Sequence, residues 1–131
     1  MSRENVEVVR RMYDAFHSFD AETALAHFDP DVVFDVSARP DGGTGRGREA
    51  LSRAIFQWVA AFDDWREEIE ELRVAGDLVY VRAVQRGRGK GSGLDIDALY
   101  AVVYEVKRGT IVRMTLYADP ADALEAVGLS E

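Results

Sequence analysis

The sequence has no cysteine and only two histidines among its 131 residues. Without cysteine there is no disulfide bond, no thiolate metal ligand and no cysteine nucleophile. Two histidines are too few for a histidine-rich metal site, so we predict neither a metal nor another cofactor. No apolar run reaches the roughly 18 residues of a membrane-spanning helix, and the N-terminus lacks the apolar stretch of a signal peptide. These absences predict a cytoplasmic protein without a membrane partner.

The remaining composition is typical of a folded globule. Hydrophobic residues make up 47% of the chain and charged residues 31%, which excludes a disordered chain. The length predicts a single domain spanning residues 1–131. The net charge of −8 argues against a nucleic-acid partner, because phosphate binding requires a basic face.

The spacing of apolar residues predicts four helices. Apolar side chains recur every three or four residues over 6–16, and again over 51–62, where they mark a helix of residues 48–62. Between these two helices, a short one begins after Asp20. A closing helix begins at Asp119-Pro120.

The strands are predicted from β-branched and aromatic runs bounded by glycine and proline. Two glycine-rich segments, residues 37–47 and 87–93, are predicted to be loops. The element order predicts an α+β fold, with helices packed against one face of a curved antiparallel sheet. The five predicted strands are residues 32–36, 65–74, 78–86, 94–106 and 110–118.

Six short segments, spread over nearly the whole chain, carry a family resemblance. They are VVRR at 8–11 running on to Phe16, GRGREA at 45–50, GKGSG at 89–93, GTIVR at 109–113, YADP at 117–120 and ALEAVGL at 123–129. The chain thereby resembles the SnoaL-like proteins of the nuclear-transport-factor-2-like superfamily, which includes ketosteroid isomerases, polyketide cyclases and limonene epoxide hydrolases. The resemblance implies a cone-shaped sheet, a cystatin-like α+β roll, with helices on its concave face and a ligand pocket in its open end.

The resemblance does not extend to the isomerase machinery. The isomerase phenol, base and carboxylic acid fall at Met12, Val36 and Val102. All three are apolar and supply neither a hydrogen-bond donor nor a titratable group. The position of Arg82 matches the arginine of limonene epoxide hydrolase, but we identify no inward pair of aspartates beside it. The catalytic residues therefore stay unassigned.

Strand alternation and the resemblance together predict the pocket lining. A three-residue hairpin at 107–109 would pair Val106 with Thr110 and Tyr104 with Val112. By the resemblance, the even-numbered residues of the last strands face the cavity, and so do those of the strand over 78–86. The predicted ligand-binding residues are Met12, Phe16, Val36, Trp58, Tyr80, Arg82, Tyr100, Val102, Met114 and Leu116.

Arg82 has two interpretations. It is either an anchor for an anionic or carbonyl ligand, or one side of a cross-strand ion pair with Glu70 or Glu71. The other polar candidates are weaker. Asp35, Asp95 and Asp97 are expected at the surface or the sheet edge, and His17 and His27 are expected to be structural or solvated.

The outer face of the sheet is also predicted to be apolar, through Leu99, Ala101 and Val103. A sheet face exposed to solvent would carry polar residues. Because this face is apolar, we predict that a second subunit covers it in a homodimer. The alternative is that a terminal segment of the same chain covers it.

The leading functional hypothesis is a protein that binds a small, largely apolar molecule in the cone cavity. Its chemistry would be of the isomerase, cyclase or hydrolase type. The alternative is a non-catalytic ligand-binding or dimeric accessory module, which the apolar residues at the isomerase positions favour.

Overall fold

The computed structural model describes residues 2–129. None of the helices in this part of the chain is long and apolar enough to span a membrane. In chain order, the elements are α1 (Ser2–His17), α2 (Ala21–Ala26), β1 (Phe28–Asp35), β2 (Thr44–Arg46), α3 (Arg48–Ala60), β3 (Phe62–Ala75), β4 (Leu78–Gly89), β5 (Asp95–Lys107), β6 (Thr110–Tyr117) and α4 (Pro120–Ala126).

The six strands form one open sheet in the order β2-β1-β6-β5-β4-β3. The predicted α+β fold is confirmed. The sheet is mixed, however, because β1 runs parallel to β6, with Phe34 opposite Met114, while the other neighbours are antiparallel. Strand alternation describes each strand separately, so it does not reveal which way strands from opposite ends of the chain meet.

The first three helices cover one face of the sheet, as predicted. Val9 of α1 and Leu51 of α3 are fully buried there, in one cluster with Val81 and Val102. The helix α4 lies on the other face. Its Leu124 packs in a second cluster with residues of β4 and β5, so a segment near the C-terminus covers part of the outer face. The buried members of this second cluster are Tyr80, Ala101, Val103, Ala123 and Leu124.

The glycine-rich loop over residues 37–47 contains a short strand that the sequence did not predict. Residues Thr44–Arg46 pair antiparallel with β1, and Gly45 lies opposite Phe34. A Cβ atom on Gly45 would lie 2.5 Å from the Phe34 ring. A side chain at this point would have to displace the Phe34 ring, so glycine allows the ring to lie against the backbone. The same glycine is typical of an irregular loop in the sequence.

The hairpin between β5 and β6 has two loop residues, so the predicted three-residue hairpin is wrong. Lys107 pairs with Thr110, and both Arg108 and Gly109 have positive φ (54° and 76°), which matches the twist of the flanking strands. A bulge then shifts the register, and Tyr104 lies opposite Met114 instead of Val112. Beyond the bulge, this shift of two residues keeps the side chains on their predicted faces. Before it the register differs by one residue, so Ile111, opposite Val106, packs on the concave side.

The prediction of which β4 side chains face the cavity is wrong by one residue. Val81 lies opposite Val102, and Arg82 lies opposite Ala101. Since directly opposite residues share a face, the odd-numbered residues of β4 face the helices. Tyr80 and Arg82 therefore lie on the outer face, away from the concave side, and Tyr80 packs against α4 there.

Candidate functional site

A cavity of about 260 Å³ lies between α1, α2, α3 and the concave face of the sheet. Phe19 and Phe56 line it although both are largely exposed, which places them at its mouth. Most of the lining is aliphatic or aromatic, the usual makeup of a small-molecule pocket. The lining residues are Met12, Tyr13, Phe16, Phe19, Ala21, Ala24, Leu25, Phe28, Arg39, Ser52, Ile55, Phe56, Trp58, Val59, Trp65, Glu67, Tyr100, Val102, Tyr104 and Met114.

Two phenols meet in the wall of this cavity. The hydroxyl oxygens of Tyr13 on α1 and Tyr104 on β5 lie 2.6 Å apart and are buried. Burial raises the pKa of both side chains, and the nearby Glu67 raises each pKa further. Both phenols therefore stay neutral at physiological pH. One hydroxyl hydrogen bridges the pair, which leaves the other hydrogen available to a third oxygen.

A carboxylate and an imidazole lie beside the phenols. Glu67 on β3 has a side chain that is only 5% exposed, and its Oε1 lies 2.9 Å from Nε2 of His17. The His17 ring also lies against the Tyr13 ring, with centroids 5.6 Å apart. Glu67 is the one acidic side chain of the described cavity lining, so it is the candidate for proton transfer.

A guanidinium also belongs to the wall of the cavity. Arg39, in the loop after β1, is partly buried and lies with its Cζ 5.0 Å from the centre of the Trp58 ring. Burial lowers its pKa, while the charge of Glu67 and the two phenols act in the opposite direction. Arg39, Glu67, Tyr13 and Tyr104 all line the same cavity.

Both tryptophans of the chain line the cavity, and one buried amide holds them. Oε1 of Gln85 accepts a hydrogen bond from Nε1 of Trp58 (2.7 Å) and another from Nε1 of Trp65 (3.1 Å). Gln85 itself is buried. The two indole rings are therefore fixed on either side of a shared acceptor, and Trp58 gives Arg39 a defined surface to lie on.

Six of the ten predicted ligand-binding residues line the cavity. Val36 lies instead in a neighbouring cleft between the loop of residues 36–45 and α3. Leu116 is buried in the core below the helices, and Tyr80 and Arg82 lie on the outer face. The six that do line it are Met12, Phe16, Trp58, Tyr100, Val102 and Met114.

Tyr13, Tyr104, Glu67 and Arg39 were not among the predicted site residues. The even-numbered residues of β5 are predicted to face the cavity, and Tyr13 belongs to the apolar stripe of α1, so the sequence indicates both tyrosines. The sequence pattern of β3 also indicates Glu67, because this residue lies on the same half-buried side of the strand as Trp65 and Ile69. No sequence pattern indicates Arg39, because it lies in a loop without periodicity.

The remaining polar candidates lie away from the cavity. Asp35 accepts hydrogen bonds from the backbone N–H (2.9 Å) and the hydroxyl (2.6 Å) of Ser37, which lower its pKa. Asp95 and Asp97 form exposed ion pairs with arginines of β4. Within residues 2–129, no group of three acidic or histidine side chains is placed to hold a metal ion.

Comparison with known proteins agrees with the fold. A model of the SnoaL-like domain matches residues 9–114. Among solved structures, a nuclear-transport-factor-2-like protein of unknown function from Burkholderia pseudomallei is 25% identical, with a TM-score of 0.77 over 97% of this chain and 98% of that one. A similar protein from Burkholderia thailandensis is 22% identical, with a TM-score of 0.81 over 93% and 95%.

A protein from Sinorhizobium meliloti, described as a proposed polyketide cyclase, is 26% identical, with a TM-score of 0.70 over 84% of this chain and 93% of that one. No curated protein matches the sequence significantly. Because the family model covers most of the chain, the protein belongs to the SnoaL-like family, and its fold is the cone-shaped α+β fold of these relatives.

Proposed function

We propose that this SnoaL-like protein binds a small, largely apolar molecule in the cavity and holds an oxygen of that molecule against the Tyr13–Tyr104 pair. The observation that carries the proposal is the 2.6 Å contact between the two neutral hydroxyls in the wall of a largely apolar cavity. A phenol that already accepts a hydrogen bond is a stronger donor. The pair therefore offers one polarised O–H group to a carbonyl oxygen.

The same arrangement supports a reaction of the isomerase or cyclase type. Glu67 would take a proton from the carbon next to the ligand carbonyl, and the electron pair would move onto the carbonyl oxygen. The free hydroxyl hydrogen of the phenol pair would stabilise the resulting enolate, as placed donors do for developing oxyanions. This machinery differs from that of ketosteroid isomerase, whose positions hold Met12, Val36 and Val102 here.

Binding is tested with a neutral aryl ketone, 2-acetylnaphthalene. Since both tryptophans line the cavity, quenching of intrinsic fluorescence reports occupancy. We expect Tyr13→Phe and Tyr104→Phe each to weaken binding about fivefold, which corresponds to roughly 1 kcal/mol for one hydrogen bond. Tyr117→Phe on β6 is the control and should bind as the wild type does. Equal affinity of all four proteins would overturn the role of the phenol pair.

Catalysis is tested separately by exchange of the ketone methyl protons in D₂O, followed by NMR. We expect exchange to be faster with the wild type than in buffer, and Glu67→Gln to remove this acceleration, since a placed base contributes roughly 10²–10⁴-fold. The ketone should still quench the tryptophan fluorescence of Glu67→Gln, because this variant keeps the binding cavity. The second candidate function, a non-catalytic binding module, is favoured by the existing Glu67–His17 contact. It predicts binding without exchange.

A further inference from the structure

We propose that Arg39 is an anchor for a carboxylate, so that the natural ligand is a small aromatic or alicyclic acid. The inference deepens the proposed function and rests on it, since it concerns the ligand class of the same cavity. The observation behind it is a cavity-lining guanidinium whose N–H groups have no acceptor in the part of the chain that the structure describes.

The contacts of Arg39 are few. Its backbone closes a turn, by donating from N to the Val36 carbonyl (3.1 Å) and accepting from Gly42 N (3.0 Å). Its guanidinium contacts the Trp58 ring face. Among residues 2–129, the guanidinium makes no hydrogen bond and has no carboxylate oxygen within 4.0 Å. Arginines in other parts of the chain, such as Arg48 and Arg82, do have such partners.

Arg39 is half-buried, and within the described residues no protein group accepts from its five guanidinium donors, so they are available to a bound anion. Glu67 is the one acidic side chain of the described cavity lining, but its Oε1 is already 2.9 Å from His17. A planar carboxylate is the group that a guanidinium fork binds best, through two parallel hydrogen bonds. A ligand carboxylate at this point would place the apolar body of the ligand in the aromatic part of the cavity.

The guanidinium is also held in place before any ligand arrives. The turn is tight at Gly42, where a Cβ atom would collide with the Val36 carbonyl oxygen. The Trp58 ring beneath the guanidinium is fixed by its hydrogen bond to Gln85. Anchoring by a group that is already oriented loses little conformational entropy on binding.

The test compares two ligands of similar shape, 2-naphthoate and 2-naphthalenemethanol, by tryptophan quenching. We expect the wild type to bind the acid at least about tenfold more tightly than the alcohol. Arg39→Met keeps much of the side-chain volume and should weaken acid binding by roughly 10- to 100-fold, the range expected for hydrogen bonds to a charged group. Binding of the alcohol should change by less than about twofold.

Arg113→Met is the matched control, because it removes the same charge from an exposed position on β6, and we expect it to keep the acid preference. If the wild type binds both probes equally, or if Arg39→Met keeps the preference, the anchor is overturned while the binding pocket stands. If neither probe binds, the proposed function fails together with the inference. If Arg39→Met and Arg113→Met lose equal affinity for 2-naphthoate, the preference for the acid reflects the overall charge of the protein. That result would also overturn the anchor.

Discussion

The hydroxyl oxygens of Tyr13 and Tyr104 lie 2.6 Å apart, although 91 residues separate them in the chain. The contact joins the first helix to the long strand β5 and sets the polar end of the cavity. The rings meet edge to face, with centroids 5.9 Å apart, an arrangement that aromatic pairs favour. The pair therefore contributes both to the packing of α1 on the sheet and to the chemistry of the site.

The first prediction concerns the stability that this contact provides. Tyr13→Phe leaves the buried Tyr104 hydroxyl without its partner, so we expect the free energy of unfolding to fall by about 1–3 kcal/mol. Tyr104→Phe should behave similarly, and the double variant should lose less than the sum of the two. Urea melts of the three variants measure this coupling. Additive losses would contradict a direct hydrogen bond between the hydroxyls.

The second prediction concerns alkaline pH. The folded-state pKa values of Tyr13 and Tyr104 are raised above the ordinary value of about 10. Their contribution to stability is fully present below about pH 10 and is lost above it, because the unfolded chain then ionises while the folded chain resists. Each phenol should make the free energy of unfolding fall by up to about 1.4 kcal/mol per pH unit in that range.

The Tyr13→Phe/Tyr104→Phe double variant is the comparison for this pH series. It should show a shallower decline above pH 10, with a residual slope to which Tyr80 contributes, since burial raises that pKa as well. Urea melts between pH 8 and 11 measure both slopes. The same slope in both proteins would show that the two phenols ionise normally in the folded state.

The third prediction concerns Arg82, for which the sequence left two interpretations open. Its Nε lies 3.1 Å from Glu70 Oε1, and its Nη1 lies 3.9 Å from Glu71 Oε1. These side chains are more than one third exposed, so solvent screening limits the pairs to less than about 1 kcal/mol. We expect Arg82→Met to lower stability by no more than that. Its affinity for 2-acetylnaphthalene should equal that of the wild type, and a loss of tenfold or more would revive the anchor interpretation.

The fourth prediction concerns the homodimer that the apolar outer face led us to expect. Ala101 and Val103 are buried against α4 of the same chain, and Leu99 is the member of that set that is 49% exposed. A dimer through this face would therefore depend on Leu99. Leu99→Glu should shift it towards monomer, since it would bury an unpaired charge. Sedimentation velocity at micromolar concentration measures this shift, and a monomeric wild type would contradict the dimer.

The helices and strands were predictable because they depend on local periodicity and composition. The apolar face of α3 repeats every three to four residues, and β5 is rich in β-branched side chains. The facing of β4 was not predictable in this way. Val79, Tyr80 and Val81 follow one another in that strand and all are buried, so alternation does not distinguish its two sides.

The candidate site was less predictable than the fold because it depends on contacts between distant segments. The apolar lining residues were predicted from apolar stripes on helices and from alternation along strands, because both patterns reflect burial. The role of Tyr13 depends on a second tyrosine far along the chain. The position of Arg39 depends on how a glycine-rich loop closes over Trp58, and no local pattern encodes that closure.

The location of a bound ligand tests the central claim most directly. A crystal structure of the protein with 2-acetylnaphthalene should show the naphthalene ring inside the cavity. Its ketone oxygen should lie within about 3 Å of the Tyr13 or Tyr104 hydroxyl, the usual distance for an O–H···O hydrogen bond. A ketone bound in the cleft between residues 36–45 and α3, or against the outer face beside α4, with the cavity unoccupied, would contradict the account.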